Sequence, residues 1–357
     1  MSKLPNIGVV IPGRRGGGVG LTIRKLVKGL RLEGFNVRPI SLEGRNLLSV
    51  MCLDGRSLPM LCQFDTLIYM GSIPYPSHIF ISDCGKIILF VHGFVKQELI
   101  NAIKKGRLRS RIRAISLLTL YDISRLIDKV DLFICRSLTS CEMNRIYRNY
   151  VLLPEFIFQE EVKLYDELAR EFGQNDSQNN VIKMLTYTSH ADSPRLLNVS
   201  QIVRLLKHVS QNIKRNIILT VVDPKIRRES IESSGNLIVK YSGFMPKDVF
   251  LRELANSDMF IELCIDEELR NTSIEAGLMG TPIAKLTHTR FIERSDYGED
   301  CLIHANTCRE FIHEIIDYLD NLEYYKHMYS KNMRNFILKH RTWDVLKESL
   351  VNYLKSK

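Results

Sequence analysis

The chain is 357 residues long with 45% apolar and 25% charged residues, comfortable for two domains and ordinary for a soluble globular protein. Its formal charge of +10 is uneven. Residues 1–153 carry 23 Lys and Arg against 10 Asp and Glu, a balance of +13, while the remainder carries 27 against 30, a balance of −3. A basic first half points to an acidic partner, for which nucleic acid and an anionic membrane both qualify on charge. No stretch approaches the ~20 apolar residues of a membrane span, and Met1-Ser2-Lys3-Leu4-Pro5-Asn6 lacks the features of a signal peptide. The eight cysteines include no C-x2-C pair, and Cys52, Cys135 and Cys264 sit in or beside apolar runs as small core residues do. That usage predicts a reduced, cytoplasmic, metal-free protein.

In chain order, the first half places apolar strands at 7–11, 37–41, 66–70, 87–91 and 132–135, with helical patterns at about 20–34, 96–105, 111–128 and 138–148. Continuous apolar strands separated by helices argue for a parallel sheet covered on both faces. Gly13-Arg14-Arg15-Gly16-Gly17-Gly18-Val19-Gly20 follows the first strand and opens a helix. It fits neither G-x-G-x-x-G nor G-x4-G-K-[ST], yet glycine lets backbone approach a ligand and a helix N-terminus favours phosphate. His92 stands at the carboxyl end of a strong strand, where α/β proteins bind ligands, although a structural histidine is the plain alternative. Residues 172–180 are polar and aperiodic and read as a linker. A second alternating set of strands follows at 182–186, 217–222, 237–241, 259–263 and 282–286.

Between the last two of these strands the chain reads Glu267-Glu268-Leu269-Arg270-Asn271-Thr272-Ser273-Ile274-Glu275-Ala276-Gly277-Leu278-Met279-Gly280-Thr281-Pro282-Ile283-Ala284. Glu275 is expected to open a short helix, with Thr272 or Ser273 as its N-cap and a Gly-Thr-Pro turn at its end. The preceding loop then aims free N–H groups at one point, an anion site suited to a diphosphate. A carboxylate there accepts two hydroxyl hydrogen bonds in the fork that a ribose diol offers. The bland alternative is two solvated loop charges and a helix cap.

This segment resembles the E-x7-E signature of the large group 1 family of retaining glycosyltransferases, which usually reads EGFGLPxLEAMAxGxPV. The resemblance extends to Asp131–Ser137, Val151–Pro154, Lys240–Phe244, Ala255–Ile261 and Arg341–Val345, the last similar to the family's "fsWe" start of the final helix. It implies an α/β chain of the GT-B fold, two Rossmann-like doubly wound parallel-sheet domains facing a central cleft. The implied division is an acceptor-side domain over 1–154, a linker over 155–180, a donor-binding domain over 181–340, and a helix over 341–357 crossing back to the first domain.

The implied reaction moves a sugar from a nucleoside diphosphate sugar, the co-substrate, to an acceptor hydroxyl with retention of anomeric configuration and without a metal or cofactor. In the family's terms Glu275 holds the ribose and Glu267 the donor sugar. His92 resembles the "HG" step bordering that sugar. Gly16, Gly17, Gly18 and Gly20 resemble the family's GGxG loop. His190 and Arg195 keep the spacing of its Arg and Lys on the diphosphate, where a cation neutralises the leaving group. Arg195 does this permanently and in a bidentate manner, His190 only when protonated, so an ordinary loop histidine remains open. Leu269, Arg270, Asn271 and Thr272 complete the donor loop in place of Phe-Gly-Leu-Pro. Losing the glycines removes easy access to positive φ, which Asn271 tolerates better than most residues.

Lys104, Lys105, Arg107, Arg109, Arg111 and Arg113, interleaved with Leu99, Ile100, Ile103, Leu108 and Ile112, form a basic, partly amphipathic run. It suits an anionic bilayer or nucleic acid phosphates, or is simply a solvated face. The absence of aromatics argues against single-stranded nucleic acid, and the resemblance, whose members with membrane-lipid acceptors carry similar first-domain patches, implies an acceptor on the inner face of a membrane, with a peripheral location. Two rival functions stand: a non-catalytic membrane or nucleic-acid binder with a decayed donor site, and a GT-B nucleotide-sugar epimerase.

Overall fold

The structure, a computed structural model, describes residues 4–11, 17–41, 61–70, 85–91, 103, 115, 130–144, 146–172, 180–188, 197–264, 268–287 and 297–356. The chain forms two compact units, Met1–Pro154 with Leu346–Lys357, and Glu155–Val345.

The first unit is built on β1 (Asn6–Ile11), α1 (Gly17–Leu32), β2 (Asn36–Ser41), β3 (Thr66–Met70), β4 (Lys86–Val91), β5 (Leu132–Cys135), α2 (Leu138–Met143) and β6 (Tyr150–Leu152). Its sheet runs β2-β1-β3-β4-β5-β6, parallel throughout. The central strands are buried on both faces, which is why they read as unbroken apolar runs. Each expected strand is present within a residue of its expected ends; the short edge strand β6 was not expected. Helix α1 starts at Gly17 rather than 20, so the last glycines of the expected loop are helical. Helix α2 stops at Met143, five residues short of the expected end, where Asn144 caps it. Of the expected helices at 96–105 and 111–128, only Ile103 and Ile115 are described, and both are helical.

The cysteines differ from the reduced state expected. Cys135 at the end of β5 is joined to Cys141 in α2, and Cys62 is also disulfide-bonded. The turn from β5 into α2 brings two side chains six positions apart to a Cα separation of 5.8 Å, a proximity that spacing alone does not reveal. Cys264, Cys301 and Cys308 are in no disulfide.

The second unit contains α3 (Gln159–Phe172), β7 (Val181–Tyr187), α4 (Val199–Asn212), β8 (Asn216–Val222), β9 (Ser230–Ser234), β10 (Leu237–Ser242), α5 (Lys247–Ala255), β11 (Met259–Glu262), α6 (Asn271–Leu278) and β12 (Ile283–Leu286). A 3-10 turn (Glu299–Cys301), β13 (Ile303–Ala305), α7 (Cys308–Asp320) and α8 (Leu322–His340) follow; of the last helix, α9 (Trp343–Lys355), the first three residues belong to this unit and those from Leu346 to the first. The sheet order is β13-β12-β11-β7-β8-β10-β9, parallel except for the antiparallel edge strand β9. Alternate residues enter opposite layers, as a period of two requires. Met259 and Ile261 of β11 join the core under α4 and α7, while Phe260 joins the one under α3, α5, α6 and α8.

Helix α3 occupies much of the segment read as a linker. Its Val162, Tyr165 and Phe172 recur at helical spacing and are buried against the sheet, so it belongs to the domain's packing. Residues 173–179 lie outside the described residues. Trp343 is buried at the start of α9, 5.1 Å from the Phe156 ring and 6.2 Å from Phe158, the core role expected of a lone tryptophan.

Candidate functional site

In the second sheet the chain lays down β7, moves outward through β8 and β10, and then returns to the other side of β7 to add β11, β12 and β13. The order reverses between β7 and β11. The segments leaving the carboxyl ends of these adjacent strands diverge, and ligands of open α/β sheets bind in the crevice so made. His190 and Arg195 follow β7, and Glu267 follows β11. The strands that precede both expected loops are therefore neighbours in the sheet, while His190, Arg195 and Glu267 themselves lie outside the described residues.

Helix α6 opens at Asn271 with Arg270 at the N-cap, earlier than expected. Thr272 and Ser273 are within the first turn rather than at the N-cap, and among the described residues no side chain caps the helix. The N–H groups of Asn271, Thr272 and Ser273 precede any intrahelical partner, so the positive end of the helix dipole is intact at the crevice. The Ser273 hydroxyl instead donates to the Glu262 carboxylate in a short hydrogen bond, and the other Glu262 oxygen accepts from Cys264 N at 2.9 Å. This buried clasp ties the end of β11 to the first turn of α6 across the acidic loop. None of Glu268–Thr272 has a positive φ, so the missing family glycines leave no strain here. Leu269 is buried in the core, so its side chain turns away from any ligand. Lys285 of β12, 0% exposed, donates to the Glu268 carbonyl at 2.8 Å and lies 5.9 Å from the Tyr297 ring.

Glu275 lies one turn inside α6, not at its start. Its carboxylate is paired with the Lys247 ammonium, with side chains 8% and 54% exposed. Among the described residues it has no other hydrogen-bond partner. The Tyr187 phenol closes β7 and its ring packs 5.5 Å from Phe250. Burial, then the charges of Glu275 and Asp223, hold that phenol above its ordinary pKa. Burial and Glu275 do the same to Tyr165 of α3. Thr188, one residue past β7, is buried with its hydroxyl unpartnered among the described residues. Sequence reasoning missed Lys247, Tyr187, Thr188 and the Glu262–Ser273 clasp. Only Glu262, a carboxylate closing an apolar strand, carried a visible signal.

In the first unit the glycine-rich segment follows β1 beside the analogous reversal between β1 and β3. Gly17, Gly18 and Gly20 are in the first turn of α1, and Gly16 lies outside the described residues. His92 directly follows β4 but lies outside them, as do Lys104, Lys105, Arg107, Arg109, Arg111 and Arg113.

No protein-family model matches this chain, and no curated protein matches it in sequence. Solved structures do resemble it. A sucrose-phosphate synthase from Thermosynechococcus elongatus superposes with a TM-score of 0.65 at 13% identity, covering 98% of both chains. Anabaena HepE in complex with UDP and glucose gives 0.65 at 13% identity over 99% of this chain and 100% of that one. WaaG, a glycosyltransferase involved in lipopolysaccharide biosynthesis, gives 0.61 at 12% identity over 98% and 100%. The two α/β units thus have the GT-B fold of glycosyltransferases, as the resemblance at the acidic loop implied.

Proposed function

We propose that the chain is a glycosyltransferase that moves a sugar from a nucleoside diphosphate sugar to an acceptor hydroxyl, with retention and without a divalent metal. The observation that carries this reading is the convergence at the β7–β11 reversal. The start of α6, where Arg270 makes no side-chain capping bond, and the nearly buried Glu275, whose one partner among the described residues is Lys247, lie in the segments that follow β11; in the sequence Glu267 follows β11, and His190 and Arg195 follow its neighbour β7. HepE, which shares the fold, was solved with UDP and glucose, and with UDP-glucose, which supports a nucleotide-sugar partner.

In this reading Glu275 accepts hydrogen bonds from the ribose hydroxyls. The N–H groups at the start of α6, Arg195 and protonated His190 hold the diphosphate. They lower the barrier by stabilising the charge that builds on the leaving group. Glu267 holds the donor sugar, while His92 and the segment from Gly16 to Gly20 approach the sugar and acceptor. Metal independence rests on these cationic groups and on a sequence without a D-x-D motif.

The test is release of nucleoside diphosphate from a panel of UDP-, GDP- and ADP-sugars, with and without EDTA. Release with sugar transfer that persists in EDTA is the expected result. Full loss in EDTA restored by manganese overturns metal independence. Sugar isomerisation without release supports the epimerase, and binding of nucleic acid or liposomes without any turnover supports the non-catalytic rival.

A further inference from the structure

The Lys247–Glu275 pair has a placement that simple charge compensation does not require. Lys247 is the first residue of α5, which follows β10, and Glu275 is in α6, which follows β11. Between β10 and β11 in the sheet lie β8 and β7. The pair therefore joins two helices across the carboxyl ends of β7 and β8, where the Tyr187 phenol feels the charges of both Glu275 and Asp223. Its two members differ in exposure: the Glu275 side chain is nearly buried and the Lys247 side chain is more than half exposed.

We infer that Lys247 is a specificity-determining residue: with Glu275 it forms a donor–acceptor couple that reads both hydroxyls of a ribose, so the site takes ribonucleotides in preference to 2′-deoxyribonucleotides. This rests on the nucleotide-sugar reading and deepens it. An ionised carboxylate only accepts hydrogen bonds and an ammonium only donates, whereas each hydroxyl of a vicinal diol does both. A diol laid across the couple donates a hydrogen bond to Glu275 from one hydroxyl and accepts one from Lys247 at the other. Lys247 engages Glu275 with one of its three N–H bonds and keeps two for a ligand. Removing one hydroxyl leaves a charged group of the site without its partner, a loss larger than that of a neutral contact. The neighbouring phenols are held protonated by burial and by the Glu275 charge, so they add no negative charge that would turn the couple away from a diphosphate.

The experiment compares binding of UDP, GDP and ADP with their 2′-deoxy forms by calorimetry, on the parent chain, Lys247→Met and Lys247→Gln. The parent is expected to favour the ribose form about tenfold or more. Lys247→Met is expected to bring that ratio to within about threefold of unity while changing the 2′-deoxy affinity little. Lys247→Gln, which keeps a neutral donor, is expected between the two, and thermal denaturation of each variant checks folding. A ratio that survives Lys247→Met, an equal loss for both forms, or a parent that prefers the 2′-deoxy form overturns the inference while leaving the nucleotide reading intact. A folded parent that binds none of the nucleotides overturns both.

Discussion

At the scale of single residues, the site is decided by where a few carboxylates end up. Glu262 and Glu275 are both buried, yet they have different partners and therefore different uses. Glu262 is saturated by neutral donors inside the protein, the Cys264 N–H and the Ser273 hydroxyl, and so acts as a clasp. Among the described residues Glu275 has only the half-exposed Lys247, and so has capacity left for a ligand. Glu275→Gln is expected to weaken nucleoside diphosphate binding by about 1–2 kcal/mol, because a charge-assisted bond becomes a neutral one. Glu267→Ala is expected to spare the free nucleotide and weaken the sugar conjugate. Calorimetry of both variants with both ligands checks this, and parent-like binding throughout would remove the E-x7-E assignment. Glu275 was legible because its spacing from Glu267 and the Gly-Thr-Pro turn stand in the sequence. Lys247 was not, because it meets Glu275 only once two helices on different strands are packed side by side.

At the scale of elements, α6 is held from behind as well as from the crevice. A Cβ on Gly277 would stand 2.5 Å from Met333 Cγ and 2.7 Å from Ile337 Cδ1 of α8, so glycine sets how closely the two helices approach. Gly280, with φ of +78°, closes α6 as the left-handed residue before Thr281 and Pro282. Gly277→Ala gains helix propensity but overpacks this contact, and is expected to destabilise the fold by about 1–3 kcal/mol. Urea denaturation measures that shift, and a neutral or stabilised variant would show that α8 yields freely. The early start of α6 was not legible. Arg270 has no capping side chain to announce it, and Thr272 and Ser273 are residues that ordinarily mark an N-cap.

At the scale of the whole molecule, two consequences follow from burial and charge. Burial raises Tyr318 above its ordinary pKa of 10.0, helped by Asp258, and Tyr329 to about 12, helped by Glu314. Below pH 10 the folded and unfolded phenols are alike protonated. Above it the unfolded chain ionises first, so stability falls as pH rises from the unfolded pKa toward the folded one. Tyr318 alone contributes a loss of about 1.4 kcal/mol per pH unit in that window. Phenolate absorbance is expected to rise together with loss of helical circular dichroism between pH 10 and 12. Ionisation of all fourteen tyrosines near pH 10 with the fold intact would contradict it. The second consequence concerns the basic run. Replacing Lys104, Lys105, Arg107 and Arg109 with Gln is expected to abolish salt-sensitive flotation with anionic liposomes, each charge contributing ~1 kcal/mol, while sparing nucleotide binding. A parent chain that ignores such liposomes at low salt would make a soluble acceptor the better proposal.

The sequence by itself determined the apolar strands nearly to the residue, because strands buried on both faces must read as unbroken apolar runs. It also marked the acidic loop, whose spacing and closing turn are local. It did not reveal α3, whose apolar residues are spaced among charges, or the edge strands β6, β9 and β13, which are short and carry less of the buried pattern. Nor did it reveal the pairing of Cys135 with Cys141. Only the tertiary structure decided the strand order, and with it the reversal that sets β7 beside β11, strands some seventy positions apart in the chain. It likewise decided which cation meets Glu275, since that contact depends on sheet order and helix packing, neither of which leaves a local mark in the chain.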